Sequence, residues 1–435
     1  MEGTLDTILY PEREAWPRLM QRGITDTSVV RETVATVLAD VRRRGDQALL
    51  EYEERFDGVT LTSLRVSEAE MAEAESLVGE PLKEALAVAA ANIRRFHEAQ
   101  RMQPISVVTT GGVTCSQRAV PIQKVGLYVP GGTAPLFSTV LMLAIPAKIA
   151  GCRQIVLCTP PDRQGKIHPA ILYAARMAGV TEIYKIGGSQ AIAAMAYGTE
   201  TVPRVYKIFG PGNRFVMEAK QQASVQNVAI DMPAGPSEVM IIADGEANPT
   251  FVAADFLSQA EHGADSQSIL LTTDRALAEK VADETERLLT ALPRRDLIRR
   301  SLSHSRIIVL ANENEMMDFA NEYAPEHLII NHKEADRLAE HVENAGSVFL
   351  GAYACESAGD YASGTNHTLP TSGYAHAYSG VNLDSFMKKI TFQTLSEEGI
   401  AHLGPVIETL AENEELLAHK LAATVRINAI KEKKL

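Results

Sequence analysis

Apolar and polar positions follow two different periods along the chain. Residues 28–57 and 67–99 repeat apolar side chains at helical spacing, and the second stretch opens with Ser67-x-x-Glu70, the pattern of a capping box. From about residue 120, short β-rich runs alternate with helix-length stretches. The runs are IVLC (155–158), EIYKI (182–186), VYKIF (205–209), VAID (228–231), EVMIIA (238–243), SILLTT (268–273), RIIVL (306–310), HLII (327–330) and SVFL (347–350). This alternation predicts parallel sheets whose strands are connected by crossover helices.

The strand-like runs divide into two sets with a junction near residues 231–238, so we expect two α/β units. Residues 351–380 depart from this pattern, because they are rich in Gly, Ser, Ala and Tyr and contain no Lys or Arg. A long loop in a compact protein is usually functional or disordered, and Asp360 and His367 favour function here. Residues 406–435 have the pattern of an amphipathic helix with a basic end.

Composition and charge narrow the class of protein. At 435 residues the chain is long enough for two or more domains. Its formal net charge of −13 argues against nucleic acid and anionic membranes as partners, because both attract basic surfaces. The first residues lack a secretory signal pattern, and the most apolar stretch, from Thr139, is interrupted by Pro146 and Lys148. The four cysteines form no CxxC motif, so we expect free thiols in a reducing, cytoplasmic compartment.

Three glycine-rich turns lie in the first α/β set, at residues 126–135, 186–191 and 209–215. Each adjoins a β-like run and leads toward a helix, where backbone N–H groups can meet a phosphate. The segment GPGNRF has Phe215 where a dinucleotide fingerprint has its third glycine. Plain tight turns would explain the same residues, so the pattern permits a nucleotide without requiring one.

Residues 248–263 contain the first candidate metal ligands. Asn248 as a cap and Gly263 as a terminator predict a helix, which puts Gln259 and His262 on one face of its last turn. A histidine in a last turn is often explained by the helix dipole alone. Glutamine is also an uncommon ligand, so this pair by itself does not indicate a metal site.

Other candidate ligands cannot be joined to this helix by spacing. Asp360 and His367 lie within residues 351–380, and His419 lies in the predicted terminal helix. In that helix Glu415 would neighbour His419, while Glu414 would lie about 140° away from it at ~100° per residue. Glutamates in this pattern are typical of a solvated face, and spacing leaves the site open.

The pair Glu326–His327 follows Pro325 and directly precedes an apolar run. Burial of a charge without a partner is costly, so the pair is either a structural ion pair or a functional one. Adjacent residues of an extended strand point to opposite faces, so both side chains can reach one substrate only if the chain bends at Pro325–Glu326. We predict that bend.

A series of longer motifs resembles the histidinol dehydrogenase family, in order from about residue 25 to the end. The motifs are VGLYVPGG, LCTPP, IFGPGNRFV, IDMPAGPSEV, FLSQAEHG, YAPEHLII, ESAGDYASGTNHTLPT and LLAHKLA. The resemblance implies NAD-dependent oxidation of L-histidinol to L-histidine through L-histidinaldehyde, the last step of histidine biosynthesis. It also implies one zinc ion per site and a homodimer with shared active sites.

The same resemblance implies roles for particular residues. The zinc ligands would be Gln259, His262, Asp360 and His419, all of them also bordering the substrate, with His419 supplied by the other subunit. The further substrate contacts would be Ser237, His327, His367 and Glu414. The NAD contacts would be Tyr128, Gln190 and Asn213. The family motif thus selects Glu414 rather than Glu415.

The chemistry implied for these residues is that of a two-step alcohol oxidation. His327 would be the general base and acid, because an imidazole with an unperturbed pKa near ~6.5 exchanges protons near neutral pH. Glu326 would activate the water that hydrates the aldehyde. Zinc would chiefly position the substrate, with Lewis-acid activation of the alcohol as the competing role. The mixed N/O ligand set leaves room for Mn²⁺ or Co²⁺.

The implied fold is α/β, with two incomplete Rossmann-like units, N-terminal helices and a C-terminal helical segment exchanged in the dimer. The expected parts are an N-terminal helical region packing in part with the second unit (1–119), an NAD-binding unit (120–236), a unit with the metal and catalytic residues (237–380), and a segment that contributes to the partner's site (381–435). Two other functions stay open. One is a family paralogue that oxidises another small polar alcohol, and the other is a zinc hydrolase in which Glu326 or His327 activates water without a nucleotide.

Overall fold

The computed structural model describes residues 5–23, 28–131, 134–226 and 228–433. Its helices are α1 Trp16–Leu19, α2 Ser28–Arg44, α3 Asp46–Tyr52, α4 Glu68–Leu77, α5 Glu80–Ala99, α6 Phe137–Ala150, α7 Pro169–Ala178, α8 Gly188–Tyr197, α9 Arg214–Ser224, α10 Pro249–Ala260, α11 Arg275–Leu289, α12 Arg295–Leu302, α13 Glu313–Tyr323, α14 Ala335–Ala339, α15 Glu356–Tyr361, α16 Glu397–Asn413 and α17 Leu417–Glu432. Its strands are β1 Asp6–Leu9, β2 Ile105–Thr110, β3 Val113–Pro121, β4 Lys124–Tyr128, β5 Gln154–Thr159, β6 Glu182–Lys185, β7 Lys207–Phe209, β8 Ala229–Ile230, β9 Glu238–Ala243, β10 Gln267–Thr272, β11 Arg306–Val309, β12 His327–Asn331, β13 Ser347–Leu350 and β14 Met387–Leu395. A π-helical turn covers Glu53–Asp57, and 3-10 turns cover Arg13–Ala15, Tyr374–His376 and Leu383–Phe386.

The chain divides into two compact units. The first unit comprises residues 1–99 and 122–386 and contains two sheets. The second unit comprises residues 100–121 and 387–435, and in it β14, β3 and β2 form an antiparallel sheet beside α16 and α17. Apolar periodicity did not indicate strands at 105–121, and the division into four parts made from the sequence stays a prediction.

The predicted α/β alternation is confirmed in the first unit. A five-stranded sheet has the order β6-β5-β4-β7-β8, a six-stranded sheet has the order β1-β11-β10-β9-β12-β13, and neighbouring strands in both run parallel. Strands β9 and β10 are buried at every position, because apolar clusters cover both faces of their sheet. Strand β1 joins the edge of this sheet beside β11, a pairing that the sequence pattern did not predict.

Capping residues mark the helix starts as expected. Ser67 and Glu70 form both hydrogen bonds of a capping box at α4. The Asn248 side chain caps α10, but this helix ends at Ala260 rather than beyond residue 262. His262 therefore lies two residues beyond the end of the helix rather than in its last turn.

The predicted single helix over residues 406–435 is wrong. Helix α16 ends at Asn413 and α17 begins at Leu417, and Glu415 between them has a left-handed backbone with φ of 58°. Glu414 follows α16 as its C-terminal cap. Helical spacing that would set Glu415 beside His419 therefore does not apply, because the two residues do not share a helix.

The most apolar stretch of the sequence is the core helix α6. Twelve of its residues are buried, so its apolar character reflects enclosure by the protein. Across the described ranges, no helix combines the length and the apolar character needed to cross a bilayer.

Candidate active site

The amino ends of β9 and β12 meet at one edge of the six-stranded sheet, because the two strands are parallel neighbours. Strand β9 begins at Glu238 and β12 begins at His327. Ser237, directly before β9, is half-buried at the same edge. Helix α10 runs back along the sheet between β9 and β10, so Gln259 in its last turn returns to this edge as well.

Glu238 orients the catalytic pair proposed from the sequence. Its N–H donates to Glu326 Oε2 at 2.8 Å, and its carbonyl oxygen lies 3.2 Å from His327 Nδ1. Glu326 Oε2 and His327 Nδ1 are 3.7 Å apart, so both side chains reach the same strand end. The left-handed residue that turns the chain is Ala324, with φ of 52°, which lies just before the predicted bend at Pro325–Glu326.

Arg22 compensates the buried carboxylate of Glu238. Arg22 Nε and Nη2 donate to the two carboxylate oxygens at 2.6 and 3.0 Å, and Nη2 also donates to the Tyr323 carbonyl at 2.7 Å. The guanidinium carbon lies 3.9 Å from the centre of the Tyr323 ring. Burial raises the pKa of Glu238, and the ion pair with Arg22 opposes that rise. No sequence signal pointed to this pair, because its members lie in distant segments.

Asp360 lies between two imidazoles. Its Oδ2 is 3.9 Å from His262 Nε2, and its Oδ1 is 3.5 Å from His327 Nε2. Its carbonyl oxygen lies 2.9 Å from His367 Nδ1, and His367 Nε2 lies 3.2 Å from Thr139 Oγ1 at the start of α6. The fold thus brings together three predicted histidines from three separate segments around one residue, Asp360.

Gln259 contacts a carboxylate that sequence reasoning missed. The Gln259 side chain is fully buried, and in the amide orientation set by its partners the nitrogen donates to Glu356 Oε1 at 3.0 Å and to the Glu238 carbonyl at 3.2 Å. Glu356 lies four residues before Asp360 in α15, a spacing that places both on one helix face. Ligand atoms of His262, Glu356 and Asp360 all lie within 4.8 Å of one another.

Buried carboxylates dominate the electrostatics of this cluster. Burial raises the pKa of Glu326 and that of Glu356 to about 8. Burial alone would lower the pKa of His327, but the carboxylates of Glu356, Glu326 and Asp360 outweigh it and raise this pKa to about 10. Within the described ranges the buried Nε2 atom of His327 makes no hydrogen bond.

The same residues fit a divalent cation. One imidazole, a carboxylate and an amide oxygen are N/O ligands of the type that zinc accepts. A cation would also offset the buried carboxylates, whose charge is otherwise costly. His262 is the accessible member, with 45% of its side chain exposed. The other predicted ligand, His419, and the predicted substrate contact Glu414 belong to the second unit, where both are exposed.

A second feature of the first unit is a cavity of about 1120 Å³ at the carboxyl edge of the five-stranded sheet. Its lining includes Tyr128 at the end of β4, Gln190 in the first turn of α8 and Asn213 before α9, the three predicted NAD contacts. Phe56 and Asp57 from the π-helical turn line it too. The carboxyl edge of a parallel sheet is the usual ligand position, and the volume exceeds the ~300–1,000 Å³ of most small-molecule sites.

Backbone N–H groups of the glycine-rich turns are largely occupied by the protein itself. The Gly187 N–H donates to Glu53 at 3.1 Å, and the Gly188 N–H donates to the Tyr128 hydroxyl at 3.1 Å. The Asn213 side chain accepts from the first N–H groups of α9. These four N–H groups at the starts of α8 and α9 therefore already have partners. Residues 132–133 of the turn at 126–135 lie outside the described residues.

Known proteins resemble the chain over nearly its whole length. The histidinol dehydrogenase family model matches residues 20–427. Histidinol dehydrogenase of Bacteroides thetaiotaomicron is 59% identical over 424 residues, which cover 98% of this chain and 99% of that protein. The Escherichia coli K12 histidinol dehydrogenase is 53% identical over 416 residues, 95% of either chain. The crystal structure of histidinol dehydrogenase from Elizabethkingia anophelis superposes with a TM-score of 0.97 at 52% identity, covering 99% of this chain and 100% of that one.

The two parallel sheets, the cavity and the acid–base cluster, taken with these likenesses, define an α/β oxidoreductase. More narrowly, the chain belongs to the histidinol dehydrogenase family. This membership confirms the resemblance found in the sequence motifs.

Replacement of Arg22 by leucine should destabilise the fold by about 3 kcal/mol, because it leaves the Glu238 carboxylate buried without its cation. An unpaired buried acid has a raised pKa in the folded state, so its ionisation opposes folding. The loss should therefore grow as the pH rises above the usual range of a glutamate. Urea unfolding at pH 5 and pH 8 measures both effects.

Arg176→Leu is the matched control, because Arg176 pairs with Glu75 at 3.0 Å on the surface, with about half of either side chain exposed. Its loss should cost less than about 1 kcal/mol. Equal losses of unfolding free energy in the two variants would show that the buried pair Arg22–Glu238 contributes no more than a surface ion pair.

Proposed function

We propose that the protein oxidises L-histidinol to L-histidine in two NAD⁺-dependent steps through L-histidinaldehyde, with one zinc ion per site. Family membership at up to 59% identity supports the substrate and the reaction. The observation that carries the mechanism is the Asp360 carboxylate lying within 4 Å of both His262 and His327. Asp360, which would bind the metal together with His262, thus also contacts the proposed acid–base residue His327.

His327 is the proton acceptor of each oxidation. Its Nδ1 lies 3.2 Å from the Glu238 carbonyl oxygen, which favours a proton on Nδ1 and leaves Nε2 as the base. Nε2 is buried and has no hydrogen-bond partner within the described part of the chain, so it is free to take the alcohol proton. A cation held by Asp360 and His262 would offset the carboxylates that raise the pKa of His327, and it would therefore favour the neutral imidazole that a base requires.

Glu326 activates water for hydration of the aldehyde. It is buried beside His327, and burial raises its pKa to about 8, close to the pH at which proton exchange is efficient. Its Oε2 is held by the Glu238 N–H, so the carboxyl group is fixed in place. The water proton passes to Glu326, while the carbonyl oxygen takes the proton that His327 accepted in the first oxidation, which gives the gem-diol. The gem-diol then loses a hydride to the second NAD⁺, and His327 again accepts the hydroxyl proton.

Gln259, His262 and Asp360 would hold the zinc ion, with His419 as the fourth ligand, as the N/O donor set allows. When bound, zinc supplies a charged anchor for the imidazole and amino nitrogens of the substrate. Ser237 and His367 border the site at the sheet edge and the start of α6, and Glu414 would add a carboxylate. Proximity then aligns the carbinol carbon with the hydride acceptor.

Tyr128, Gln190 and Asn213 are the proposed NAD contacts. All three line the cavity at the carboxyl edge of the first sheet. Because Glu53 and Tyr128 occupy the N–H groups of Gly187 and Gly188, side chains of the cavity walls, rather than these two N–H groups, would hold the dinucleotide. This arrangement agrees with the absence of a complete glycine fingerprint.

A homodimer would complete each site. In the second unit, Ala423 is the one buried residue among those described in α17. Apolar side chains of β2, β14, α16 and α17 are exposed. The exposed side chains include Val107, Val108, Ile390, Phe392, Leu410, Leu421 and Val425. A surface of this kind is typical of an interface, and a second copy covering it would carry His419 and Glu414 to the partner's site.

The function is tested by mixing zinc-loaded protein with L-histidinol and NAD⁺ and following NADH absorbance. Two NADH should form for each histidinol consumed, and one for each histidinaldehyde, because each oxidation removes one hydride. A paralogue specific for another alcohol would leave histidinol unreacted, and a zinc hydrolase would form no NADH with any alcohol.

Glu326→Gln should slow the oxidation of histidinaldehyde by about 100-fold or more, because it removes the base that activates water. Oxidation of histidinol to the aldehyde should fall much less. Single-turnover measurements started from either substrate separate the two steps. Glu322→Gln, at an exposed position of α13, is the matched control. Equal slowing of both steps by the Glu326 variant would contradict the assignment.

Mixed dimers test whether the site is shared. His262→Ala and His419→Ala chains, each inactive alone, should recover up to about a quarter of full activity after exchange, because half of random dimers are mixed and each has one intact site. Two different affinity tags report that subunits have exchanged.

His262→Ala mixed with Asp360→Ala is the control for this experiment. Both residues belong to the first unit, so no combination of these chains restores a complete set of ligands. Recovery in the control, or no recovery in the test mixture after proven exchange, would exclude a shared site.

A further inference from the structure

The side chain of Gln259 is held at its nitrogen end. Both N–H bonds of the amide point to buried acceptors, Glu356 Oε1 at 3.0 Å and the Glu238 carbonyl at 3.2 Å. An amide can present either its oxygen or its nitrogen, but only the oxygen can bind a cation. With the nitrogen engaged, the oxygen is the end left for a ligand.

The Glu238 carbonyl and the Glu356 carboxylate together fix this orientation more firmly than the Glu238 carbonyl would alone. A backbone carbonyl cannot move to follow the amide, and it engages one of the two N–H bonds. Glu356 engages the other, and a hydrogen bond to a carboxylate is about twice as strong as one between neutral groups. The same bond draws electron density toward the amide oxygen and makes it a better donor to a metal.

The position of Glu356 is restricted by its burial at the start of α15. It is the first residue of α15 and only 1% exposed, and its Oε2 lies 3.5 Å from the Ser258 hydroxyl, next to Gln259 in α10. One turn later the same helix presents Asp360. A single rigid element thus carries a proposed ligand and the group that orients a second ligand.

We propose that Glu356 is a positioning residue of the metal site, which fixes the Gln259 amide with its oxygen toward the cation and does not bind the cation itself. This inference rests on the zinc site of the proposed function. Glu356 Oε1 already accepts from Gln259, which favours positioning over ligation although a ligand atom of Glu356 lies within 4.8 Å of those of His262 and Asp360.

Zinc affinity of the full-length protein, measured by competition with a chromophoric chelator, tests the proposal without use of enzyme activity. Glu356→Leu removes the acceptor and should weaken zinc binding by about 10-fold or more, the usual effect of losing an outer partner of a ligand. Glu356→Gln keeps the shape and can turn its own oxygen toward Gln259, so its zinc affinity should stay within about 3-fold of the original.

A double-mutant cycle separates positioning from ligation. Gln259→Leu removes the ligand, and if Glu356 acts through Gln259, adding Glu356→Leu to it should cause no further loss of zinc affinity. Additive losses, or equal losses for Glu356→Gln and Glu356→Leu, would make Glu356 a ligand and overturn the proposal. An unchanged zinc affinity in Glu356→Leu would overturn it too.

Glu356→Asp provides a second measurement if the leucine variant does not fold. It keeps the charge but shortens the side chain, so the Gln259 amide loses its partner, and the visible spectrum of bound Co²⁺ should change in Glu356→Asp and not in Glu356→Gln. Identical Co²⁺ spectra in all three proteins would contradict positioning. Failure of the unaltered protein to bind zinc would instead refute the metal site of the proposed function, and this inference with it.

Discussion

The candidate active site depends on the hydrogen bonds made by the first residue of β9, Glu238. A strand that begins at a sheet edge leaves a peptide N–H and a carbonyl without ladder partners, and buried groups of this kind need hydrogen bonds. At Glu238 the N–H is taken by Glu326, while the carbonyl is taken by His327 and Gln259. The side chain of the same residue is held by Arg22. One buried residue therefore orients both proposed catalytic groups and one proposed metal ligand.

The two sheets of the first unit use opposite edges. The cavity lies at the carboxyl edge of the five-stranded sheet, which is the usual position for a ligand in an open parallel sheet. The acid–base cluster lies at the amino edge of the six-stranded sheet, where Glu238 and His327 begin their strands. The contact between His367 and Thr139 at the start of α6 ties the two parts together within one unit. The proposed function thus places hydride transfer beside one sheet and proton transfer beside the other.

Local sequence patterns predicted elements whose signals are themselves local. The β-rich runs gave two parallel sheets, Ser67 and Glu70 formed a capping box, and Asn248 capped α10. The prediction of one helix over residues 406–435 was wrong, because the chain breaks at Glu415, which has a left-handed backbone. The break at residues 414–416 separates Glu414 and His419, which periodicity had joined in one helix.

By itself, the sequence determined the α/β class, most strands and helices, and the family, while the site residues marked by the family motifs stay predictions. These depend on short-range spacing and on motifs that can be read along the chain. Only the tertiary structure showed that Glu238 is the common partner, that Arg22 neutralises it, and that Glu356 holds Gln259. The reason is physical: hydrogen bonds and charge compensation in a buried site depend on distances between segments far apart in the chain, and no periodicity within one segment records them.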